Sequence, residues 1–128
     1  MPKINPQRLM ADLQELRSIG AVETGVVRQA LSEKDMEARR WLKAKFEEIG
    51  LATTIDGVGN VLGRSTKNGP ALLVGSHSDT QPRGGWLDGA LGVIYGLEIA
   101  RALAEDPETA DLAVDVVSWQ DEEGSFLS

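Results

Sequence analysis

The sequence contains no cysteine, which excludes disulfide bonds, thiolate metal ligands and a thiol nucleophile. Basic residues are also in the minority, with 13 Lys+Arg against 20 Asp+Glu and a formal net charge of -7. Because no basic stripe offsets this balance locally, it argues against a nucleic-acid-binding protein. No apolar run has the length of a membrane span, and the N-terminus lacks the apolar core of a signal peptide. We therefore expect a cytoplasmic protein without nucleic-acid or membrane partners.

The remaining composition is that of an ordinary globular protein. Hydrophobic residues make up 41% and charged residues 26% of the 128 positions, so a folded chain is expected rather than a disordered one. This length allows one domain at most, with enough residues to bury a hydrophobic core.

Helix signals dominate the first 50 residues. Asn5 followed by Pro6 is typical of a helix N-cap and first helical position, and Gly20 is typical of the end of that helix. Ser32 begins a capping-box-like pattern in which Asp35 takes the place of the usual Glu or Gln. The second helix is predicted to run to about Ile49, with a connecting segment over residues 21–31 between the two helices.

The second part of the sequence predicts strands around a third helix. The expected strands cover residues 51–55, 60–64, 71–75 and 112–119, and the helix covers residues 89–105. The run at 71–75 is continuously apolar, which predicts a strand buried on both faces. The predicted fold class is therefore α/β, with a mixed sheet flanked by helices.

Candidate functional residues follow two of these strands. His77, the only histidine, and Asp79 come after the strand at 71–75, whereas Glu122 and Glu123 come after the strand at 112–119. Asp88 lies in a glycine-rich segment that could turn its carboxylate back toward His77. Imidazole and carboxylates are ligands that divalent metals such as Zn²⁺ accept, and the ends of strands are where open α/β sheets bind ligands.

Each of these residues also has a purely structural interpretation. A histidine after a strand is often a hydrogen-bonded structural residue, and Asp88 before a helix that begins near Gly89 could be its N-cap. Two adjacent glutamates in an acidic protein usually belong to a solvated surface. The residues by themselves leave both interpretations open.

Three segments together resemble a known family. Residues 75–80 (GSHSDT), 84–93 (GGWLDGALGV) and 121–124 (DEEG) are similar to the hydantoinase/carbamoylase branch of the M20 metallopeptidase family. This branch includes N-carbamoyl-L-amino-acid hydrolases and allantoate amidohydrolases. The resemblance covers essentially the whole chain and implies the N-terminal part of a dinuclear-zinc-peptidase-like catalytic domain.

The resemblance implies a role for each candidate residue. His77 and Glu123 would bind metal, Asp88 would bridge two metals, Asp79 would orient His77, and Glu122 would be the general base. The cofactors would be two divalent ions, Zn, Mn or Co. The implied reaction is hydrolysis, by metal-activated water, of C–N bonds in linear amides, N-carbamoyl-amino acids or ureido compounds such as allantoate.

The chain departs from this family in length. Family members are longer and contribute further histidine ligands downstream, whereas His77 is the only histidine here. Residues 1–128 are therefore expected to be the N-terminal portion of the catalytic domain, without the inserted dimerisation domain and the C-terminal part. We expect the isolated chain to be inactive and the full-length family member to be a homodimer. The alternatives are an M20 peptidase or deacylase, and a truncated product without catalytic function.

Overall fold

The computed structural model describes residues 1–126, which begin with a helix followed by a two-stranded ribbon. Helix α1 (Pro6–Ser18) begins as predicted, because the Asn5 side chain accepts a hydrogen bond from the Arg8 N–H at 3.0 Å. The connecting segment then forms an antiparallel ribbon of β1 (Ala21–Val22) and β2 (Gly25–Val26), which the sequence pattern did not indicate.

Helix α2 (Glu33–Glu48) confirms the second predicted helix. Ser32 Oγ accepts a hydrogen bond from the Asp35 N–H at 3.1 Å, which is the first half of a capping box. The reciprocal half differs, because the Asp35 carboxylate accepts from the Leu31 N–H at 2.9 Å instead of from Ser32.

The main sheet has four strands in the order β3-β4-β6-β5. Its members are β3 (Ala52–Ile55), β4 (Val61–Arg64), β5 (Leu72–His77) and β6 (Val114–Trp119). The pairs β3–β4 and β4–β6 are antiparallel, whereas β5 and β6 are parallel. The sheet is therefore mixed, as predicted. Because β5 and β6 run the same way, with His77 opposite Trp119, the segments that follow them leave the sheet at one edge.

The predicted burial of the strand at 71–75 was wrong. Within the described residues, β5 has a neighbouring strand on one side only, and Leu72 and Leu73 are 63% and 49% exposed. The strand also extends to His77, so this histidine is the last residue of β5 rather than a residue beyond it. A continuous apolar run indicates a strand, but the position of that strand in the sheet depends on non-local pairing.

Helix α3 (Ala90–Glu105) connects β5 to β6 and packs against both strands. Helix α2 packs against β3 and β4, and α1 packs against α3. The hydrophobic core joins all three helices to β4 and β6 and includes Leu16, Leu42, Phe46, Val61, Ile94, Leu97 and Val116. No helix of residues 1–126 is long and apolar enough to cross a membrane.

Candidate metal centre

His77 is buried at the end of β5, with one ring nitrogen already engaged. Its Nδ1 lies 3.0 Å from the main-chain oxygen of Asp79, so a proton on Nδ1 can be donated to that carbonyl. This tautomer leaves the Nε2 lone pair available for a metal ion. The Asp79 side chain, with Oδ1 3.5 Å from Nδ1, raises the pKa of His77 to about 9, although burial works against this.

Asp79 connects the ends of the two parallel strands. Its Oδ2 accepts a hydrogen bond from the Glu123 N–H at 3.2 Å, while Oδ1 is buried without a hydrogen-bond partner of good geometry among residues 1–126. Burial would raise the pKa of Asp79, but His77 and the Glu123 N–H outweigh it and hold this pKa below its ordinary value. Asp79 is therefore a buried carboxylate that contacts His77 on the Nδ1 side of the ring.

Asp88 lies in the loop that leads into α3. The loop is held at Gly84, which forms an antiparallel bridge with Val26 of β2, and the Trp86 ring lies beneath the Arg17 guanidinium at 4.9 Å. The N-cap of α3 is Gly89, and no side-chain hydrogen bond caps this helix. The interpretation of Asp88 as the N-cap is therefore wrong, and its exposed carboxylate is available for other contacts.

Glu122 and Glu123 occupy a tight turn after β6, in which the Gly124 N–H donates to the Asp121 carbonyl at 3.1 Å. The turn brings both side chains close to His77. Glu122 is 57% exposed and places Oε2 3.3 Å from His77 Nε2. Glu123 accepts a hydrogen bond from the Gln81 side chain.

The fold brings three of the candidate side chains to one point. One ring nitrogen of His77 and one carboxylate oxygen each of Asp88 and Glu123 lie within 4.8 Å of one another. An imidazole nitrogen and two carboxylates form a donor set suited to Zn²⁺, Mn²⁺ or Co²⁺. Space for the ring depends on Gly89, because a Cβ there would lie 2.5 Å from His77 Nε2 and Cε1. The residues present therefore fit a divalent ion.

Sequence reasoning missed the polar residues behind this group. Arg39 and Asp35 of α2 are completely buried, and the Arg39 guanidinium contacts the end of β6. Arg28 is also buried and donates to the Ser78 carbonyl at 2.8 Å, and burial lowers its pKa to about 10. The one available signal was the four-residue spacing of Asp35 and Arg39, which is just as common on exposed helix faces.

Comparison with known sequences shows which proteins this chain resembles. The family model for peptidase family M28 matches residues 58–128, which is more than half of the chain. An N-carbamoyl-L-amino-acid amidohydrolase of Pseudomonas sp. (strain NS671) is 37% identical over 126 residues, or 95% of this chain and 30% of the relative. An allantoate deiminase of Arabidopsis thaliana is 37% identical over 120 residues, or 90% of this chain and 23% of the relative.

Solved structures agree with the sequence comparison. A hydantoinase/carbamoylase family amidase from Burkholderia phymatum is 64% identical and superimposes with a TM-score of 0.99, covering 100% of this chain and 32% of that one. The chain thus spans about 30% of the length of these curated relatives.

The carbamoylase resemblance implied by the sequence motifs is confirmed by these relatives, and the family model that matches is that of peptidase family M28. The match of the family model to more than half of the chain shows that the chain belongs to peptidase family M28, and the chain is similar in sequence and structure to hydantoinase/carbamoylase amidases.

Proposed function

We propose that His77, Asp88 and Glu123 bind divalent metal and that the protein hydrolyses C–N bonds in N-carbamoyl-amino acids or ureido compounds. The observation that carries this proposal is the approach of three ligand atoms to within 4.8 Å at the shared end of β5 and β6. Residues 1–128 would be the N-terminal portion of the catalytic domain. In its complete form this site would hold two ions, Zn, Mn or Co, with Asp88 as the bridging ligand.

The reaction would divide its tasks among the residues around this group. Divalent ions at such a site lower the pKa of water and polarise a substrate carbonyl. Asp79 orients the His77 ring through Nδ1, so that Nε2 faces the group. Glu122 is exposed beside His77 Nε2, where its carboxylate can accept a proton from water and return it to the departing nitrogen.

The proposed substrate class follows from the relatives. N-carbamoyl-L-amino-acid amidohydrolases align with 95% of this chain, and allantoate deiminases with 90% or more. Both names describe hydrolysis of a C–N bond in a small molecule. A second candidate is cleavage of ordinary amide or peptide bonds, which the description of the family model favours.

A metal titration of the chain tests the proposed site. We expect Zn²⁺, Mn²⁺ or Co²⁺ to bind with micromolar or tighter affinity in calorimetry, and His77→Ala to weaken binding at least about tenfold, because the nitrogen ligand is lost. The control is Asp111→Asn, which neutralises an exposed acid that precedes β6, whereas Glu123 follows the other end of that strand. Equal affinities for His77→Ala and the unaltered chain would refute the site.

A hybrid enzyme tests the reaction. Residues 1–128 would replace the matching third of the Burkholderia phymatum amidase, which superimposes with a TM-score of 0.99. We expect the hybrid to hydrolyse N-carbamoyl-L-amino acids or allantoate in the presence of metal, and the isolated chain to be inactive. Glu122→Gln in the hybrid should reduce kcat by about 10²–10⁴, because the general base is lost. Turnover restricted to dipeptides or N-acyl-amino acids would favour the second candidate.

A further inference from the structure

The Arg39 guanidinium is completely buried behind the metal-ligand group and uses all of its N–H donors. Nε donates to the Asp35 carboxylate at 3.0 Å, one turn earlier on α2. Nη1 donates to the carbonyls of Gly59 at 3.0 Å and Ser118 at 3.3 Å. Nη2 donates to the Trp119 carbonyl at 3.1 Å and to Gln120 Oε1 at 2.7 Å.

These contacts hold the chain immediately before the turn that carries Glu122 and Glu123. Ser118 and Trp119 end β6, and Gln120 Oε1 also accepts the Asp121 N–H at 3.0 Å. The backbone is thus fixed over the residues that determine where the turn begins. A planar guanidinium can hold several carbonyls at once in a fixed geometry, whereas a lysine ammonium cannot.

The same guanidinium also approaches the other strand end. Nη2 lies 3.8 Å from Asp79 Oδ1, the buried oxygen that faces His77 Nδ1 and has no hydrogen-bond partner of good geometry among residues 1–126. Arg39 is therefore the side chain that contacts the end of β6 directly and opposes the charge of the Asp79 carboxylate at the end of β5.

The orientation of Arg39 is itself fixed by two partners. Asp35 Oδ2 accepts hydrogen bonds from the Leu31 N–H and from Gln120 Nε2, so its position is set before it contacts Arg39. Asp35, Arg39 and Gln120 thus form one hydrogen-bonded cluster. The Gln120 N–H also donates to Asn60 Oδ1 at 2.8 Å, which ties this cluster to the turn between β3 and β4. The cluster is fully hydrogen-bonded, which is the condition under which a buried charged network is rigid.

We propose that Arg39 is a positioning residue for metal binding, whose guanidinium sets the distance between Glu123 on the β6 side and His77 on the β5 side. The inference rests on the proposed function, because it concerns the same ligand group. A purely structural role would be limited to joining α2 to the sheet. The two roles differ in whether loss of the guanidinium changes the site while the protein remains folded.

The test compares the affinity of the full chain and of its variants for Co²⁺, with the visible d–d absorption of the bound ion as the readout. Each measurement is made at a temperature at which circular dichroism shows that variant to be folded. We expect Arg39→Lys to bind Co²⁺ about 10–100-fold more weakly, with an altered d–d band, because the charge remains but the multiple hydrogen bonds are lost. Arg39→Met should lose at least as much affinity. If either variant fails to fold, Gln120→Ala at the partly exposed end of the cluster should show a smaller loss in the same direction.

Phe46→Leu is the matched control, because Phe46 is also fully buried on α2 but packs against Leu51 and Gly63, away from the ligands. It should lower thermal stability and leave Co²⁺ affinity unchanged. Wild-type affinity in Arg39→Lys, or equal losses of affinity in Arg39→Lys and Phe46→Leu, would overturn the inference. Absence of His77-dependent Co²⁺ binding in the unaltered chain would instead refute the proposed function.

Discussion

At the scale of single residues, the candidate site depends on a position that has no side chain. Gly89 has φ +67° and lies against the His77 ring, so that a Cβ would be 2.5 Å from Nε2. The aspartate next to it in sequence, Asp88, supplies one of the three clustered ligand atoms. The glycine thus allows the α3 loop to pass directly over the imidazole, which brings the carboxylate of Asp88 to the nitrogen of His77.

Gly89→Ala should separate the imidazole from its carboxylate partners. We expect metal affinity to fall at least about tenfold, because the new methyl group displaces a ligand, and the free energy of unfolding to fall by about 1–3 kcal/mol from the strained backbone. Calorimetric titration and urea unfolding measure the two effects.

The control for this prediction is Gly50→Ala. Gly50 has φ +84°, and a Cβ there meets no atom within 4 Å, so the substitution adds backbone strain without a clash. Its metal affinity should equal that of the unaltered chain. Equal metal affinities in Gly89→Ala and Gly50→Ala would show that His77 does not need the space above Gly89.

At the scale of elements, the parallel pairing of β5 with β6 determines where the candidate residues meet. Gly75 stands opposite Val117 in this pair, and a Cβ on Gly75 would lie 1.9 Å from the Val117 carbonyl oxygen. The two strands approach too closely for any side chain at this position. Their register, which places His77 opposite Trp119, depends on the same contact.

Gly75→Ala should therefore weaken the β5–β6 pair. We expect the free energy of unfolding to fall by about 1–3 kcal/mol in urea denaturation, because backbone must move to admit the methyl group. Gly57→Ala, in the turn between β3 and β4, is the control, since a Cβ there meets nothing within 4 Å. Comparable losses in the two variants would contradict the close approach of the strands.

At the scale of the whole molecule, buried charges join α1 to α3. Glu98 of α3 is almost completely buried and accepts hydrogen bonds from the Asn5 N–H at 2.7 Å and from Arg8 at 2.8 Å. Arg101 lies 3.7 Å from the same carboxylate and also pairs with Asp12 of α1. Burial would raise the pKa of Glu98, but Arg8, the Asn5 N–H and Arg101 outweigh it and lower this pKa below its ordinary value of 4.5.

This lowered pKa predicts a pH-dependent stability. The unfolded chain binds a proton at Glu98 more readily than the folded chain, so the contribution is fully present above pH 4.5 and is lost as pH falls through the folded pKa. Glu98→Gln should lower the free energy of unfolding at neutral pH by about 1.5–3 kcal/mol and flatten its decline in acid, as measured by urea unfolding across pH.

Glu105→Gln is the control for this prediction. Glu105 pairs with the same Arg8 but is 56% exposed, so its replacement should change the free energy of unfolding by less than about 1 kcal/mol. A pH profile of Glu98→Gln that parallels the unaltered chain would show that Glu98 does not contribute.

Much of the fold could be predicted because its signals are local. Asn5 and Ser32 cap helices with their own side chains, and short segments between turn signals, one of them continuously apolar, identify the four strands of the main sheet. The β1–β2 ribbon could not be predicted, because its strands have two residues each and depend on the bridge from Val26 to Gly84. The exposure of Leu72 and Leu73 could not be predicted either, since it depends on the strand order.

The sequence by itself determined the chemistry available to this protein, because ligand atoms and proton acceptors belong to residue types: one histidine, Asp79, Asp88 and the pair Glu122–Glu123. The tertiary structure alone decided which of these atoms meet, bringing His77, Asp88 and Glu123 within 4.8 Å. It also placed Arg39 beneath them, although nothing in the local sequence distinguishes a buried Asp–Arg pair from an exposed one. The physical reason is that residue chemistry and helix caps act over a few positions, whereas burial and distance depend on strands paired across the chain.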